Sequence, residues 1–220
     1  MRPDFETIKN NREIRAYITQ ADASLLALGY TEHSFPHVLK CAQVASDLLE
    51  QLGYDERQVE LARIAGYMHD IGNVINRDDH AQSGALMAFR ILEKLGMDVE
   101  DIAPVITAIG NHDEHTAYPV NAVAAALILA DKTDVRRSRV RNRATISFDI
   151  HDRVNYAVER SDLKLDTKAK TLTLELSIDT SISSVMDYFE IFMARMILCR
   201  KAAEYFSLTF RMNINGSAVL

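Results

Sequence analysis

The chain lacks most of the features that mark secreted, membrane-spanning and nucleic-acid-coating proteins. Only two cysteines occur, Cys41 and Cys199, which are too few for a disulfide framework and fit a reducing cytoplasm. The apolar runs around residues 122–130 and 191–198 are too short and too interrupted to span a bilayer, and the N-terminus lacks the apolar segment of a secretory signal. A net charge of −6 argues against general nucleic-acid binding. We therefore expect a cytoplasmic protein with no membrane partner.

Several familiar catalytic signatures are also missing. The sequence has no Gly-x-Ser-x-Gly nucleophile elbow, no Walker loop and no cysteine nucleophile with an assignable base. It contains no internal repeat and no low-complexity tract. With 220 residues, the chain can hold one sizeable core, or one domain with an appendage. Its chemistry must therefore be sought among other side chains.

The stretch 60–72 places two side chains of metal-binding type next to each other. Its apolar residues recur at helical spacing up to His69 and Asp70, after which Gly72 is suited to end the helix. Adjacent residues on a helix point about 100° apart, so this pair cannot share one face. A metal ion in a crevice beside the helix end gives both side chains a role, because imidazole nitrogen and carboxylate oxygen are good ligands.

Further candidate ligands lie at or near helix ends or on an apolar face. His37 lies in the first turn of a predicted helix, and Cys41, one turn later, is interpreted as a small buried thiol. His80 opens another predicted helix, and His112 follows a third. The apolar periodicity before Asp131 aims its carboxylate along a buried face, where something positive should meet it. The helices are predicted over residues 1–30, 34–53, 60–72, 80–96, 99–110 and from about 119.

The pattern changes from residue 143 onward. Strict alternation of apolar and polar residues predicts strands, and a long run rich in Met, Phe and Ile predicts a helix. We therefore expect two domains, a helical one over residues 1–142 and an α+β extension over residues 143–220 packed on it. The elements predicted here are strands over 144–148, around 163–165, over 171–178 and over 208–214, and helices over 152–160 and 181–206.

The order His…His-Asp…His…His…Asp resembles that of the HD-domain superfamily of metal-dependent phosphohydrolases. The resemblance covers about residues 30–141. Within it, three short stretches match sequence motifs of the superfamily, at residues 31–37, 68–72 and 130–132. It implies a mainly α fold, an HD-domain-like helical bundle, with the small β-containing part as a C-terminal appendage.

The resemblance also implies a ligand set. In the superfamily the first His, the His-Asp pair and the last Asp hold one metal, and members with extra histidines hold a second metal bridged by the paired aspartate. Some two-metal members have adjacent histidines where His112 is here followed by Asp113, whose oxygen could instead ligate or orient a neighbour. The corresponding residues of this chain are His37, His69, Asp70 and Asp131 for the first metal, and His80 and His112 for the second.

The ligand chemistry points to particular metals and to a phosphate. A His-rich site with carboxylates suits Mn, Fe, Co, Ni or Zn better than Mg, although Mg is possible. Two such ions activate water and stabilise an in-line displacement at phosphorus. A run of basic residues from 132 to 143 could bind the remaining phosphate oxygens. We predict His69, Asp70 and Lys132 as catalytic residues, and Lys132, Arg136, Arg137, His33 and Asp113 as substrate contacts.

The leading hypothesis is a metal-dependent phosphohydrolase, a phosphomonoesterase or phosphodiesterase, acting on a nucleotide or another small phosphorylated molecule. Two alternatives stay open, a di-iron oxygenase of the HD type and a regulatory module that senses a phosphorylated ligand. Metal content and turnover distinguish the three. The long apolar helix over 181–206 makes a homodimer plausible.

Overall fold

Within residues 2–132, seven α-helices follow one another, joined by short loops. The computed structural model describes residues 2–141, 144, 146 and 149–219. It divides the chain into two compact units, Met1–Asp131 and Lys132–Leu220, and the domain boundary predicted after residue 142 stays a prediction. The helices are α1 Phe5–Asn10, α2 Arg12–Ala27, α3 Phe35–Gln51, α4 Glu56–Met68, α5 His80–Lys94, α6 Val99–Gly110 and α7 Ala122–Lys132.

Local signals set the helix ends, and tertiary packing sets how close the helices lie. Asp55 begins α4 by accepting a hydrogen bond from the Gln58 backbone N–H. Gly66, within α4, is in contact with α3, and a Cβ atom there would lie 2.7 Å from the Ala42 backbone. Only glycine permits this approach, because real Cβ contacts are not that short. The close packing of α3 on α4 brings the start of one helix beside the end of the other.

The helix α7 is buried on every side. All of the apolar side chains from Ala122 to Ala130 are at most 6% exposed. A helix that is apolar all round belongs in the interior, so burial of this helix extends beyond the single face that the periodicity before Asp131 predicted. None of the described helices is both long enough and apolar enough to cross a membrane.

The second unit combines two helices with a small sheet. The described elements are α8 Ile150–Ala157, β1 Val158–Asp166, β2 Thr171–Ile178, α9 Val185–Tyr205, β3 Thr209–Ile214 and β4 Ser217–Ala218. The strand order is β1-β2-β3-β4, with β1 antiparallel to β2, β2 parallel to β3, and β3 antiparallel to β4. The parallel pair requires a crossover connection, which α9 supplies. The predicted class, mainly α with a small C-terminal β element, is confirmed.

Several predicted boundaries were wrong. The single helix predicted over residues 1–30 is two helices, α1 and α2, because the side chain of Asn11 accepts hydrogen bonds from the Glu13 and Ile14 backbone N–H groups and so begins α2. The helix α4 ends at Met68 instead of continuing to Gly72, which lies within a 3₁₀ turn, Ile71–Val74. The helix predicted over 152–160 ends at Ala157, because Val158 already begins β1 and pairs with Ile178. Pairing with a distant strand decides this boundary, and local spacing does not report it. The strand predicted over 144–148 lies mostly outside the described residues.

Candidate metal centre

Five helix ends in the first unit supply the predicted ligands. His37 lies in the first turn of α3, and His80 is the first residue of α5. The pair at the end of α4 directly follows Met68, and Asp131 lies in the last turn of α7. All of the predicted ligands are buried or nearly so: His37, His69, Asp70, His80, His112 and Asp131.

The end of α4 explains how two adjacent side chains reach the same place. His69 keeps helical backbone angles, whereas Asp70 has φ −93° and ψ 1° and leads into the 3₁₀ turn. This change of backbone direction removes the 100° offset of a regular helix. The His69 Nε2 and Asp70 Oδ2 atoms consequently lie 3.3 Å apart.

Three side chains converge with Asp70 on the side of its Oδ2 atom. His37 Nε2 lies 3.3 Å from His69 Nε2, 3.5 Å from Asp70 Oδ2 and 3.4 Å from Asp131 Oδ1. His69 Nε2 lies 3.7 Å from Asp131 Oδ1. Ligand atoms of one metal ion, each about 2.0–2.2 Å from it, are separated by distances of this order.

Two more histidines approach the other oxygen of the same carboxylate. Asp70 Oδ1 lies 3.6 Å from His80 Nε2 and 3.9 Å from His112 Nε2. The two Nε2 atoms lie 3.2 Å from each other. Asp70 therefore stands between two groups of nitrogen and oxygen donors, with one carboxylate oxygen directed at each.

The histidine tautomers follow from their backbone contacts. Three of the rings place Nδ1 against a main-chain carbonyl oxygen, which can only accept a hydrogen bond. Nδ1 therefore carries a proton, and Nε2 faces the site, where its lone pair becomes available to a metal ion once Nε2 is deprotonated. The pairs are His69 with Gly66 at 2.8 Å, His80 with Arg77 at 3.0 Å, and His112 with Ile109 at 2.6 Å.

The charge state of Asp70 favours a cation. Burial raises its pKa, but the charge of a protonated His69 and the closeness of the His37 and His69 imidazoles to the carboxylate outweigh burial, so the pKa lies well below its usual value. Asn73 Nδ2 donates to Asp70 Oδ1 at 2.9 Å and fixes the carboxylate plane. Among the described residues, Asp70 Oδ2 is a buried oxygen with no well-formed hydrogen bond, although two imidazoles lie near it. This donor set fits a divalent ion.

Cys41 lies closer to the centre than its interpretation as a core thiol implies. Its sulfur is 3.7 Å from His37 Nδ1 and 3.8 Å from His37 Nε2, within one potential ligand group with His69 and Asp131. Nearly equal distances to both ring nitrogens place the sulfur beside the ring instead of in line with the Nε2 lone pair. The residue is fully buried, and this geometry favours a packing contact.

Some of the predicted substrate-contacting residues belong to the first unit and others to the second. The His33 ring packs edge-on against His37, with 5.4 Å between centroids, and Asp113 Oδ2 lies 3.3 Å from Nδ1 of the exposed His115. Lys132 is buried at the end of α7, directly after Asp131. These positions leave the predicted substrate contacts of all three residues as predictions.

The two predicted arginines make contacts within the second unit. Arg136 donates from Nε to Asp134 Oδ1 at 2.8 Å, and Arg137 donates from Nε to the Tyr156 carbonyl oxygen at 2.7 Å. Arg137 also lies over the Tyr156 ring, with its guanidinium carbon 4.8 Å from the centroid. Their roles as phosphate ligands stay predictions.

Two polar residues of the centre were missed from the sequence. Asn73 is buried beside Asp70, and Arg77 Nη1 lies 3.4 Å from His80 Nε2 and 3.3 Å from Asn73 Oδ1. In the sequence, only their spacing could have indicated a role at the site: Asn73 lies three residues after Asp70, and Arg77 lies three residues before His80. Such spacing gains meaning once the intervening 3₁₀ turn is known.

Comparison with known proteins identifies the family. The family model for the HD domain matches residues 35–190, well beyond the part that carried the sequence resemblance. The chain belongs to the HD domain family, a family of metal-dependent hydrolases. An uncharacterized protein of Methanocaldococcus jannaschii is 23% identical over 207 residues, covering 83% of this chain and 80% of that protein.

Other relatives are similar over a shorter stretch. Ribonuclease Y of Deinococcus radiodurans is 32% identical over 115 residues, and ribonuclease Y of Aliarcobacter butzleri 30% over 122 residues. The matches cover 49% and 54% of this chain but only 18% and 21% of those enzymes, so the chain spans about a fifth of their length. A crystal structure of a predicted HD superfamily hydrolase from an uncultured Thermotogales bacterium is 26% identical, with a TM-score of 0.45, covering 57% of this chain and 68% of that one.

Proposed function

We propose that the protein is a metal-dependent phosphohydrolase that hydrolyses a phosphate ester of a nucleotide or another small phosphorylated molecule. The observation that supports this most directly is the position of Asp70, whose two carboxylate oxygens face separate groups of donors. We assign a first ion to His37, His69, Asp70 and Asp131, and a second to His80, His112 and the shared Asp70. Mn, Fe, Co, Ni and Zn suit these donors, and Mg is possible.

The chain's own residues prepare the site before any substrate arrives. Backbone carbonyls hold the imidazoles in the tautomer that presents Nε2, and Asn73 keeps the shared carboxylate in one plane. Divalent ions held there supply Lewis acidity, which lowers the pKa of a water molecule and stabilises charge that develops on phosphoryl oxygens. His69 and Asp70 position this chemistry, Lys132 neutralises charge beside it, and His33, Asp113, Arg136 and Arg137 contact the substrate in the same proposal.

A second candidate substrate is a phosphodiester of RNA. The likeness to ribonuclease Y supports it, because that relative is named as an RNA-cleaving enzyme and the donor set seen here would serve either kind of ester. The net charge of −6 favours a small substrate over long nucleic acid, since polyanion binding relies on basic surfaces.

A substrate panel tests the proposal. Metal-replete protein is assayed against nucleoside mono-, di- and triphosphates, a nitrophenyl monoester, a bis-nitrophenyl diester and a short RNA, with Asp70→Asn as the inactive control. Turnover of any ester by the wild type and not by the variant supports phosphoester hydrolysis. No turnover with any metal or substrate contradicts it. Tight phosphate binding without turnover favours a sensing module, and iron-dependent oxidation without hydrolysis favours the oxygenase.

A homodimer and a cytoplasmic location are further parts of the proposal. The exposed side chains of Met186, Met193 and Ile197 recur at helical spacing on α9 and offer one apolar stripe to a second copy. Sedimentation of the wild type and of a Met193→Lys variant tests the dimer. A monomeric wild type contradicts it. The two buried cysteines support a reducing compartment.

A further inference from the structure

Arg77 places a guanidinium group beside the second group of ligands. It lies in the loop between the 3₁₀ turn and α5, and its Nη1 points between Asn73 Oδ1, at 3.3 Å, and His80 Nε2, at 3.4 Å. The guanidinium carbon lies 5.5 Å from the centroid of the Tyr30 ring. The side chain is half-buried, so it is held at the site and still reaches solvent.

The polar contacts of Arg77 leave most of its donors unused. Both side-chain hydrogen bonds are long and involve Nη1 alone, so the Nε–Nη2 edge makes no hydrogen bond to any described residue. Asp78 and Asp79 are its chain neighbours, yet the described part of the chain offers Arg77 no ion pair. A guanidinium kept for structure alone is normally saturated by acceptors, and this one is not.

The loop around Arg77 has a fixed shape that is tied to His80. The Arg77 carbonyl oxygen accepts the Nδ1–H of His80 at 3.0 Å, so the main chain of Arg77 and the orientation of this imidazole are coupled. Asn76 Oδ1 accepts the Asp78 N–H at 3.1 Å, and Asp79 adopts a left-handed conformation with φ 56° before α5 begins. The guanidinium is thereby preorganised next to the ligands.

We propose that Arg77 binds a non-bridging oxygen of the substrate's phosphate through its Nε–Nη2 edge, with the Tyr30 ring supporting the guanidinium plane. The proposal rests on the proposed function, which puts a phosphate at these ligands. The planar edge of arginine matches two phosphate oxygens, and a charge-assisted pair of this kind gives both affinity and orientation. Arg77 is then a phosphate-binding residue that belongs to the first unit and lies beside the ligands themselves.

Binding of inorganic phosphate tests the assignment without any need for turnover. Calorimetry compares manganese-loaded wild type with Arg77→Ala and with Arg90→Ala, a control that removes the same charge from an exposed position on α5. We expect Arg77→Ala to weaken phosphate binding about tenfold or more, and Arg90→Ala to leave it within about twofold. Arg77→Lys should retain part of the affinity, and Arg77→Gln should not.

Three results would overturn the assignment. One is a wild type that binds no phosphate, and another is equal binding by Arg77→Ala and Arg90→Ala. The third is a loss of bound manganese in Arg77→Ala that accounts for the loss of phosphate, because Arg77 would then only support His80. If the wild type turns over a substrate, Arg77→Ala should raise KM by a larger factor than it lowers kcat. If phosphate binding depends on Arg77 but the wild type turns over no substrate, the proposed hydrolysis is contradicted and the assignment of Arg77 as a phosphate-binding residue stands.

Discussion

Gly72 and His80 approach so closely that no other residue fits at position 72. A Cβ atom on Gly72 would overlap the carbonyl oxygen of His80 and lie 2.5 Å from the backbone nitrogen of Gly84. The 3₁₀ turn after Asp70 is thus pressed against the first turn of α5. The contact holds the shared carboxylate in register with the His80 ligand.

Replacing Gly72 with alanine should therefore disrupt the metal centre. The Cβ would force the 3₁₀ turn away from α5, and overpacking of this kind destabilises by about 1–3 kcal/mol or more. Thermal unfolding and bound metal, measured by mass spectrometry, check the effect. Gly110→Ala is the matched control, because its Cβ would meet only Ala85 at an ordinary 3.6 Å. Equal metal content in the two variants would contradict this account.

Metal stoichiometry should separate the two ligand groups. Asp70→Asn removes the shared carboxylate charge, so we expect both ions to be lost or bound substoichiometrically. Asp131→Asn should mainly lower occupancy of the first site, and His80→Ala that of the second. Metal analysis after dialysis against a limiting concentration of manganese measures each case. A variant Asp70→Asn that retains two ions would show that the carboxylate is not a bridge.

Asn73 should affect metal affinity without supplying a ligand. Its amide donates to Asp70 Oδ1 at 2.9 Å and to the Asp70 carbonyl at 3.0 Å, so Asn73→Ala releases the carboxylate from its plane. Loss of such an orienting partner costs about 10–100-fold in metal affinity. Competition with a fluorescent chelator measures the change. Asn10→Ala, at an exposed position of α1, serves as the control and should bind as the wild type does.

Acid stability of the metal-free protein should report the pKa of Asp70. The carboxyl has a pKa well below its ordinary value of 3.8 in the folded protein, because the histidine interactions outweigh burial. Its stabilising effect is therefore present above that ordinary value and is lost as the pH falls through the lowered pKa. Urea unfolding between about pH 5 and pH 2, in chelator, should show a wild-type advantage over Asp70→Asn that is kept above the ordinary pKa of 3.8 and narrows below it. If the difference in unfolding free energy between the wild type and Asp70→Asn instead grew as the pH fell, the Asp70 pKa would not be lowered in the folded protein.

Cys41 should prove dispensable as a ligand. Cobalt-loaded protein should lack the charge-transfer absorption of a thiolate ligand, and Cys41→Ser should bind the same number of ions as the wild type. The sulfur lies beside the His37 ring, at 3.7 and 3.8 Å from its two nitrogens, so its removal changes packing more than coordination. A thiolate band that disappears in Cys41→Ser would make the sulfur a ligand.

The helical class and the strand β2 were predictable because they depend on local periodicity, whereas the first residues of β1 were predicted as helix. The strand β2 has the predicted bounds, Thr171–Ile178, since strict alternation matches its half-buried environment. The end of α4 was not predictable, because Gly72 serves a close contact with α5 and not a helix stop. Likewise, Arg136 reads as part of a basic run, while its partner Asp134 becomes apparent only in the folded loop.

Two groups of donors share one carboxylate, and this arrangement links metal binding to the folding stability of the first unit. The donors come from α3 to α7, so no short fragment of the chain contains them together. An ion that binds only the assembled form adds to folding stability, by about 4 kcal/mol when its concentration is a thousand times its dissociation constant. Heat tolerance of this protein should then track the supply of metal in its surroundings, and scarcity would weaken the helical bundle before it weakens any single helix.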